Sequence, residues 1–144
     1  MLAFDTNIAV YAANVRDPRH TAARHFLEQI KTSPDVVVCE LMLVELFLKL
    51  CNARIFANPW PPAEAAELCH AYRNNRLWKR VDSAPVMEEV WKWTRKPDFA
   101  FRRIIDVRLA LTLRHHGVTE FATSNLKDFQ DLGFTRVWNP VEIP

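Results

Sequence analysis

Met1-Leu2-Ala3-Phe4-Asp5-Thr6-Asn7-Ile8-Ala9-Val10-Tyr11-Ala12 opens the chain with an apolar run that meets an acid and then continues as a second apolar segment. The first four residues read as a short strand, and Asp5 falls at its carboxyl end. Ile8–Ala13 follows as a helix, which Asp5, Thr6 or Asn7 could cap with a side-chain oxygen. A short strand running at once into a helix sets the pattern that the rest of the chain repeats.

Val36-Val37-Val38, bounded by Pro34, is a β-branched run of strand type. Leu77-Trp78 with Val81, Phe121-Ala122-Thr123 and Val137-Trp138 are further short strand candidates. Between them, Ala23, Phe26, Leu27 and Ile30 recur at helical spacing, as do Met87, Val90, Trp91 and Thr94. Cys39–Cys51 and Ile105–His116 read as helices too, the second stopped by Gly117. Asn58-Pro59-Trp60-Pro61-Pro62 cannot be helical before its last proline, which is suited to open a helix over Ala63–Arg73. Strands alternating with helices imply an α/β fold with a parallel sheet covered on both faces. Ligands of such sheets sit beyond the carboxyl ends of the strands, near a switch in strand order.

Size and composition narrow the class. A chain of 144 residues, 49% hydrophobic and 25% charged, is expected to fold as one globular domain over 1–144. The opening MLAFDTN has no basic stretch leading into a signal-type apolar run, and the longest apolar stretch, Val36–Leu50, is broken by Glu40, Glu45 and Lys49. The expectation is a soluble, cytoplasmic protein with no membrane contact. Cys39, Cys51 and Cys69 are odd in number and form no zinc-ligand spacing, which favours buried reduced thiols. With Gly117 and Gly133 as its only glycines, the chain has no phosphate-cradling loop. The net charge of +2 is small, but residues 73–108 hold ten Lys/Arg against five Asp/Glu. Trp78, Trp91, Trp93, Phe99 and Phe101 lie in the same stretch, so it suits either a phosphate backbone with exposed bases or a solvated helix face over buried aromatics.

Three acids carry the candidate chemistry. Asp5 is either a helix cap or a site residue at a strand end. Glu45 shares a helix face with Leu41, Met42 and Leu48, where a carboxylate is costly to bury unless it is paired or binds a metal. Lys49, one turn on, offers an ordinary ion pair as the competing explanation, and Glu40 is expected in solvent. Asp106 lies on the stripe of Leu109, Ala110 and Leu113 at a helix start, where it could be a structural cap. Arg102, Arg103 and Arg108 could partner it or contact phosphate. Clustered carboxylates repel, and a hard divalent cation with oxygen ligands relieves that repulsion. Mg²⁺ or Mn²⁺ fits such a set and can activate water against a phosphodiester. His115-His116 belongs to no metal-binding pattern and suits a helix C-terminus.

These stretches resemble the PIN-domain ribonucleases, in particular the VapC-type toxins of bacterial toxin–antitoxin systems. LAFDTNIAVYA resembles the family's opening, VVVCELMLVEL its second strand and helix with Glu45 in the glutamate position. IIDVRLALTLRHHGVTEFATSNLKDF resembles the third-acid helix, the next strand and the closing T-x-N-x-x-D-F signature, and GFTRVWNP the last strand. The ordered set spans nearly the whole chain, with 52–100 the least similar part. The resemblance implies a Rossmann-like α/β/α sandwich with a mostly parallel, five-stranded sheet. It implies an endoribonuclease dependent on Mg²⁺ or Mn²⁺, a homodimer, and a cognate antitoxin that blocks the site. By position, Asp5 and Asp106 would bind metal, and Glu45 would complete the shell and orient water. Thr6, Asn7, Arg102, Arg103 and Asn125 would face the RNA. Where many members carry a fourth acid this chain has Asn125, and Asp128 would supply the charge instead, with one metal favoured over two. The rival readings are a housekeeping RNA-processing PIN nuclease without an antitoxin, and a degenerate interaction module.

Overall fold

A computed structural model describes residues 1–143. In chain order the elements are β1 (Leu2–Phe4), α1 (Thr6–Ala13), α2 (His20–Ile30), β2 (Val37–Cys39), α3 (Glu40–Leu50) and α4 (Pro62–Arg73). They continue as β3 (Lys79–Val81), α5 (Met87–Thr94), α6 (Arg103–His115), β4 (Glu120–Ala122), α7 (Leu126–Phe129) and β5 (Arg136–Trp138).

The strands form two parallel ladders, β1-β4-β5 and β2-β3. A parallel bridge between Leu2 and Val36, with Leu2 N donating to Asp35 O at 2.8 Å, joins them. The order across the molecule is therefore β3-β2-β1-β4-β5, and every pairing among the described residues is parallel. Chain direction across the sheet reverses between β1 and β4, so the switch point lies where Asp5 leaves β1.

The interior strands are apolar without alternation because both their faces are covered: Val37, Val38 and Cys39 are all buried, as are Ala3 and Phe4. Phe121 on β4 stacks on Phe134 and packs against Phe129 of α7, with ring centroids 5.1 and 4.6 Å apart. The helical stripes read from spacing are the buried ones, Ala23, Phe26, Leu27 and Ile30 on α2 and Leu109, Ala110 and Leu113 on α6. Pro62 stands in the first turn of α4, where a missing amide proton is harmless. Gly117 ends the C-terminal cap of α6 with φ of +90°, a conformation that a side chain would strain.

Three local expectations change, and one short helix was not anticipated. The third strand is Lys79–Val81, an edge strand with two exposed residues, while Trp78 lies just before it and donates Nε1 to Ile30 O at 3.2 Å. Helix α7 is four residues long and carries too few residues to show a period. Glu40 is not a solvated surface acid: it takes Arg73 at 2.7 Å and Arg80 at 3.7 Å. All three thiols are free, but only Cys39 is buried, and Cys51 and Cys69 are half-buried. No helix among the described residues is long and apolar enough to cross a membrane.

Candidate active site

Asp5 sits between two strand ends. Its backbone N–H donates to Ala122 O at 2.8 Å, fixing it beside the end of β4. Carboxylate Oδ2 accepts from the Thr123 hydroxyl at 2.8 Å, and Oδ1 faces Asn7 N at 3.5 Å as the N-cap of α1. Capping and site duty are therefore not alternatives here, and neither Thr6 nor Asn7 takes the cap. Asp5 is 5% exposed, and burial pushes its carboxyl above the usual range against the opposing pull of Thr123 and the Lys49 charge.

Thr6 is fully buried and turned inward. Its hydroxyl donates to Glu45 Oε2 at 3.2 Å, with Met42 O at 3.4 Å as an alternative acceptor. Thr6, expected to face the substrate, thus spends its hydroxyl on Glu45 and the end of the Met42 peptide. Glu45 does not pair with Lys49 in the i,i+4 manner; the Lys49 ammonium reaches across to Asn7 Oδ1 at 2.7 Å instead. Glu45 is half-buried and raised above the ordinary carboxylate range by burial, with Lys49 and Thr6 opposing and the charge of Asp5 adding to the rise.

Asp106 lies in the first turn of α6 but is not its cap, and among the described residues its carboxyl has no hydrogen bond or ion pair. Burial comes first and the charges of Asp5, Glu45 and Asp128 follow in pushing it up to about 7. Asp106 is thus the acid on which the charges of the other three act. Of the remaining predicted residues, Asp128 is tied to Asp106 through its charge and Asn125 is tied to Asp128. Asn125 donates from Nδ2 to Asp128 Oδ2 at 2.5 Å and from its backbone to Thr123 Oγ at 2.9 Å. Asp128 also lies 3.7 Å from Arg103 Nε, so its charge reaches the cluster already partly neutralised.

Arg103 is an internal clamp rather than a free cation. One of its terminal nitrogens donates to Asp128 O at 2.7 Å and to Asp131 Oδ1 at 2.8 Å. Arg103, expected to face the RNA, is thus engaged by Asp128 and Asp131. Arg102 is exposed, over the ring of Phe101 at 5.6 Å, and Phe101 is itself 77% exposed. The aromatics of 73–108 thus divide: Trp78 is buried in the core, whereas Trp91 and Phe101 face solvent.

A groove between α1, α2 and α4, lined by Ala12, Leu27, Trp60, Leu68 and Tyr72, holds none of the four carboxylates. Convergence of charge, not concavity, locates the site. The donors are all oxygen and net negative, which fits a hard divalent cation. Among the described residues no three acidic, His or Cys side chains crowd closely enough to enclose an ion. A pair of carboxylates with water and phosphate oxygens completing the shell is the ordinary arrangement for Mg²⁺.

Residues 2–134 match the PIN domain family. The chain belongs to it. Over 141 residues this PIN chain is 51% identical to Ribonuclease VapC24 of Mycobacterium tuberculosis, in strains CDC 1551 / Oshkosh and ATCC 25618 / H37Rv, covering 98% of this chain and 97% of the relative. Its fold is similar to the crystal structure of Mycobacterium tuberculosis VapC20, described as a Sarcin-Ricin loop cleaving toxin, with TM-score 0.66 and 19% identity over 94% of this chain and 97% of that one. FitAcB from Neisseria gonorrhoeae is similar at TM-score 0.63 and 18% identity, over 99% of this chain and 100% of that one. FitAB bound to an IR36 DNA fragment is similar at TM-score 0.63 and 17% identity, over 100% and 98%. The PIN assignment and the α/β class agree with the sequence resemblance, including the low-similarity middle of the chain, which the 98% coverage spans.

Proposed function

We propose that this PIN protein is an endoribonuclease dependent on Mg²⁺ or Mn²⁺ and the toxin of a VapBC-type toxin–antitoxin module. The observation that carries the reading is Asp106: an unpartnered, half-buried carboxyl that burial first, and then the charges of Asp5, Glu45 and Asp128, push up to about 7. A site of this kind is poorly satisfied by protein groups alone and is completed by a cation. Its relationship to Ribonuclease VapC24 supports RNA as the substrate.

In this reading Asp5 and Asp106 would hold the ion and Glu45 would complete its surroundings. A bound divalent ion supplies Lewis-acid stabilisation of charge on a phosphodiester and lowers the pKa of water. The chain's own groups do the positioning. Thr123 and the backbone of Asn7 hold the Asp5 carboxylate in one orientation. Thr6 holds Glu45, whose free oxygen is the acceptor available to orient a water for in-line attack. Arg102, with the exposed ring of Phe101, meets the RNA strand. Asn125 holds Asp128 at the rim. The partners in this reading are RNA, a small cognate antitoxin and a second copy of the chain, in the cytoplasm.

The test is cleavage of single-stranded RNA by the purified protein with Mg²⁺, with EDTA, and by Asp5→Ala. Cleavage is expected only for the wild type with the ion. Cleavage that survives both EDTA and Asp5→Ala overturns the reading, and growth arrest on expression, relieved by the product of an adjacent reading frame, tests the toxin role.

A further inference from the structure

Lys49 does not do what its spacing suggests. It stands one helical turn after Glu45 on α3, yet its ammonium passes over the obvious partner and donates to Asn7 Oδ1 at 2.7 Å, on the first turn of α1. Asn7 in turn presents its backbone N–H to Asp5 Oδ1. Lys49 is half-buried, so this is a placed side chain rather than a solvated one. The placement costs side-chain freedom, and Asn7 offers only a neutral oxygen in return. What it gains is a position on the side chain of Asn7, whose backbone holds Asp5, and one helical turn from Glu45, so that a fixed positive charge stands beside the acidic site.

We propose that Lys49 is a built-in counter-cation of the acidic site, held by Asn7, which keeps the carboxylates assembled without a divalent ion and thereby weakens the site's grip on one. The inference rests on the reading of the site as a metal centre and adds how its affinity is set. The physical argument is a sign argument. A fixed positive charge among carboxylates offsets their mutual repulsion, so the ion-free site is less unfavourable. The same charge repels an incoming divalent cation, so the ion-bound site is also less favourable. Both effects move metal affinity in one direction, downward. A nuclease with this device takes up its ion loosely enough for RNA phosphate oxygens to complete the shell at the moment of binding.

The experiment is titration of the full chain with Mn²⁺ alone, without RNA, by isothermal calorimetry at pH 8, for wild type, Lys49→Met and Lys49→Arg. Lys49→Met is expected to bind Mn²⁺ about tenfold more tightly, and Lys49→Arg, which keeps the charge, to stay near wild type. Thermal melting without metal is expected to show Lys49→Met less stable than both. Unchanged or weaker Mn²⁺ binding by Lys49→Met overturns the proposal and leaves Lys49 as a brace for Asn7. Should Lys49→Met melt too low for titration, Asn7→Ala, which releases the ammonium, is titrated instead, with tighter Mn²⁺ binding expected and unchanged binding counting against the proposal. Because no RNA is present, failure here is separate from failure to cleave RNA. A wild-type chain that takes up no Mn²⁺ overturns the metal-centre reading and this inference together.

Discussion

The hydroxyl of Thr123 donates to Asp5 Oδ2 at 2.8 Å, linking two buried polar groups 118 residues apart in sequence. Both lie one residue beyond the ends of paired strands, Phe4 of β1 opposite Ala122 of β4. Removing the donor leaves an acceptor buried with no replacement. Thr123→Val, which keeps the shape, is expected to destabilise the chain by about 1–3 kcal/mol and to cut RNA cleavage sharply. Urea unfolding and a cleavage assay on the same preparation check both effects.

The pH dependence follows from direction. Asp106 is raised in the folded chain to about 7 from the ordinary aspartate value of 3.8, so between those values the folded state holds a proton that the unfolded state has lost. Stability from this group is present at low pH and is lost as pH rises through about 7, and Asp5 and Glu45, raised as well, act in the same sense. Metal-free protein is expected to melt at lower temperature at pH 8 than at pH 6. Added Mn²⁺ is expected to raise the melting temperature more at pH 8, where protons no longer compete for the carboxylates. A melting series over pH with and without the ion reads this directly.

Asp106→Asn separates stability from activity. The amide removes a charge that three neighbours oppose, and Asp106 accepts no hydrogen bond that the change would break. The variant is expected to lose RNA cleavage while melting higher than wild type by a few degrees at pH 8 without metal, roughly the shift for a kilocalorie-scale gain. Differential scanning calorimetry beside the cleavage assay decides it.

Two adjacent arginines are expected to behave differently. Arg103 clamps Asp128 O and Asp131 Oδ1, so Arg103→Ala should cost about 1.5–3 kcal/mol of stability through lost charged hydrogen bonds. Arg102 is exposed, and Arg102→Ala should stay within about 0.5 kcal/mol of wild type. The same change should weaken RNA binding and reduce its salt dependence by about one counterion. Fluorescence anisotropy across a salt series, alongside unfolding curves, distinguishes them.

Much of this was legible in the sequence because the informative features are local. Val36-Val37-Val38 and the stripes of α2 and α6 declare their elements by composition and period. The strand-end position of Asp5 and the inward face of Asp106 follow from those elements. What was illegible depends on partners far away in the chain. Lys49 obeys Asn7, 42 residues distant, rather than the nearby Glu45 that spacing favours. Arg103 reads as a free cation until Asp128 and Asp131 are seen beside it. Trp78 looked like strand because it is aromatic and buried, but its indole N–H is claimed by Ile30 O at the end of α2, and pairing begins one residue later. Thr123 offered one signal, a polar residue closing an apolar strand as Asp5 does.

The two ladders of the sheet touch through little more than the Leu2–Val36 bridge, and that narrow seam has a mechanical consequence. Asp5 rides on one side of it and Glu45, on the helix that follows β2, rides on the other, with the Thr6–Glu45 and Lys49–Asn7 hydrogen bonds crossing between them. The spacing of the acids therefore depends on the side-chain links between α1 and α3 as well as on strand pairing.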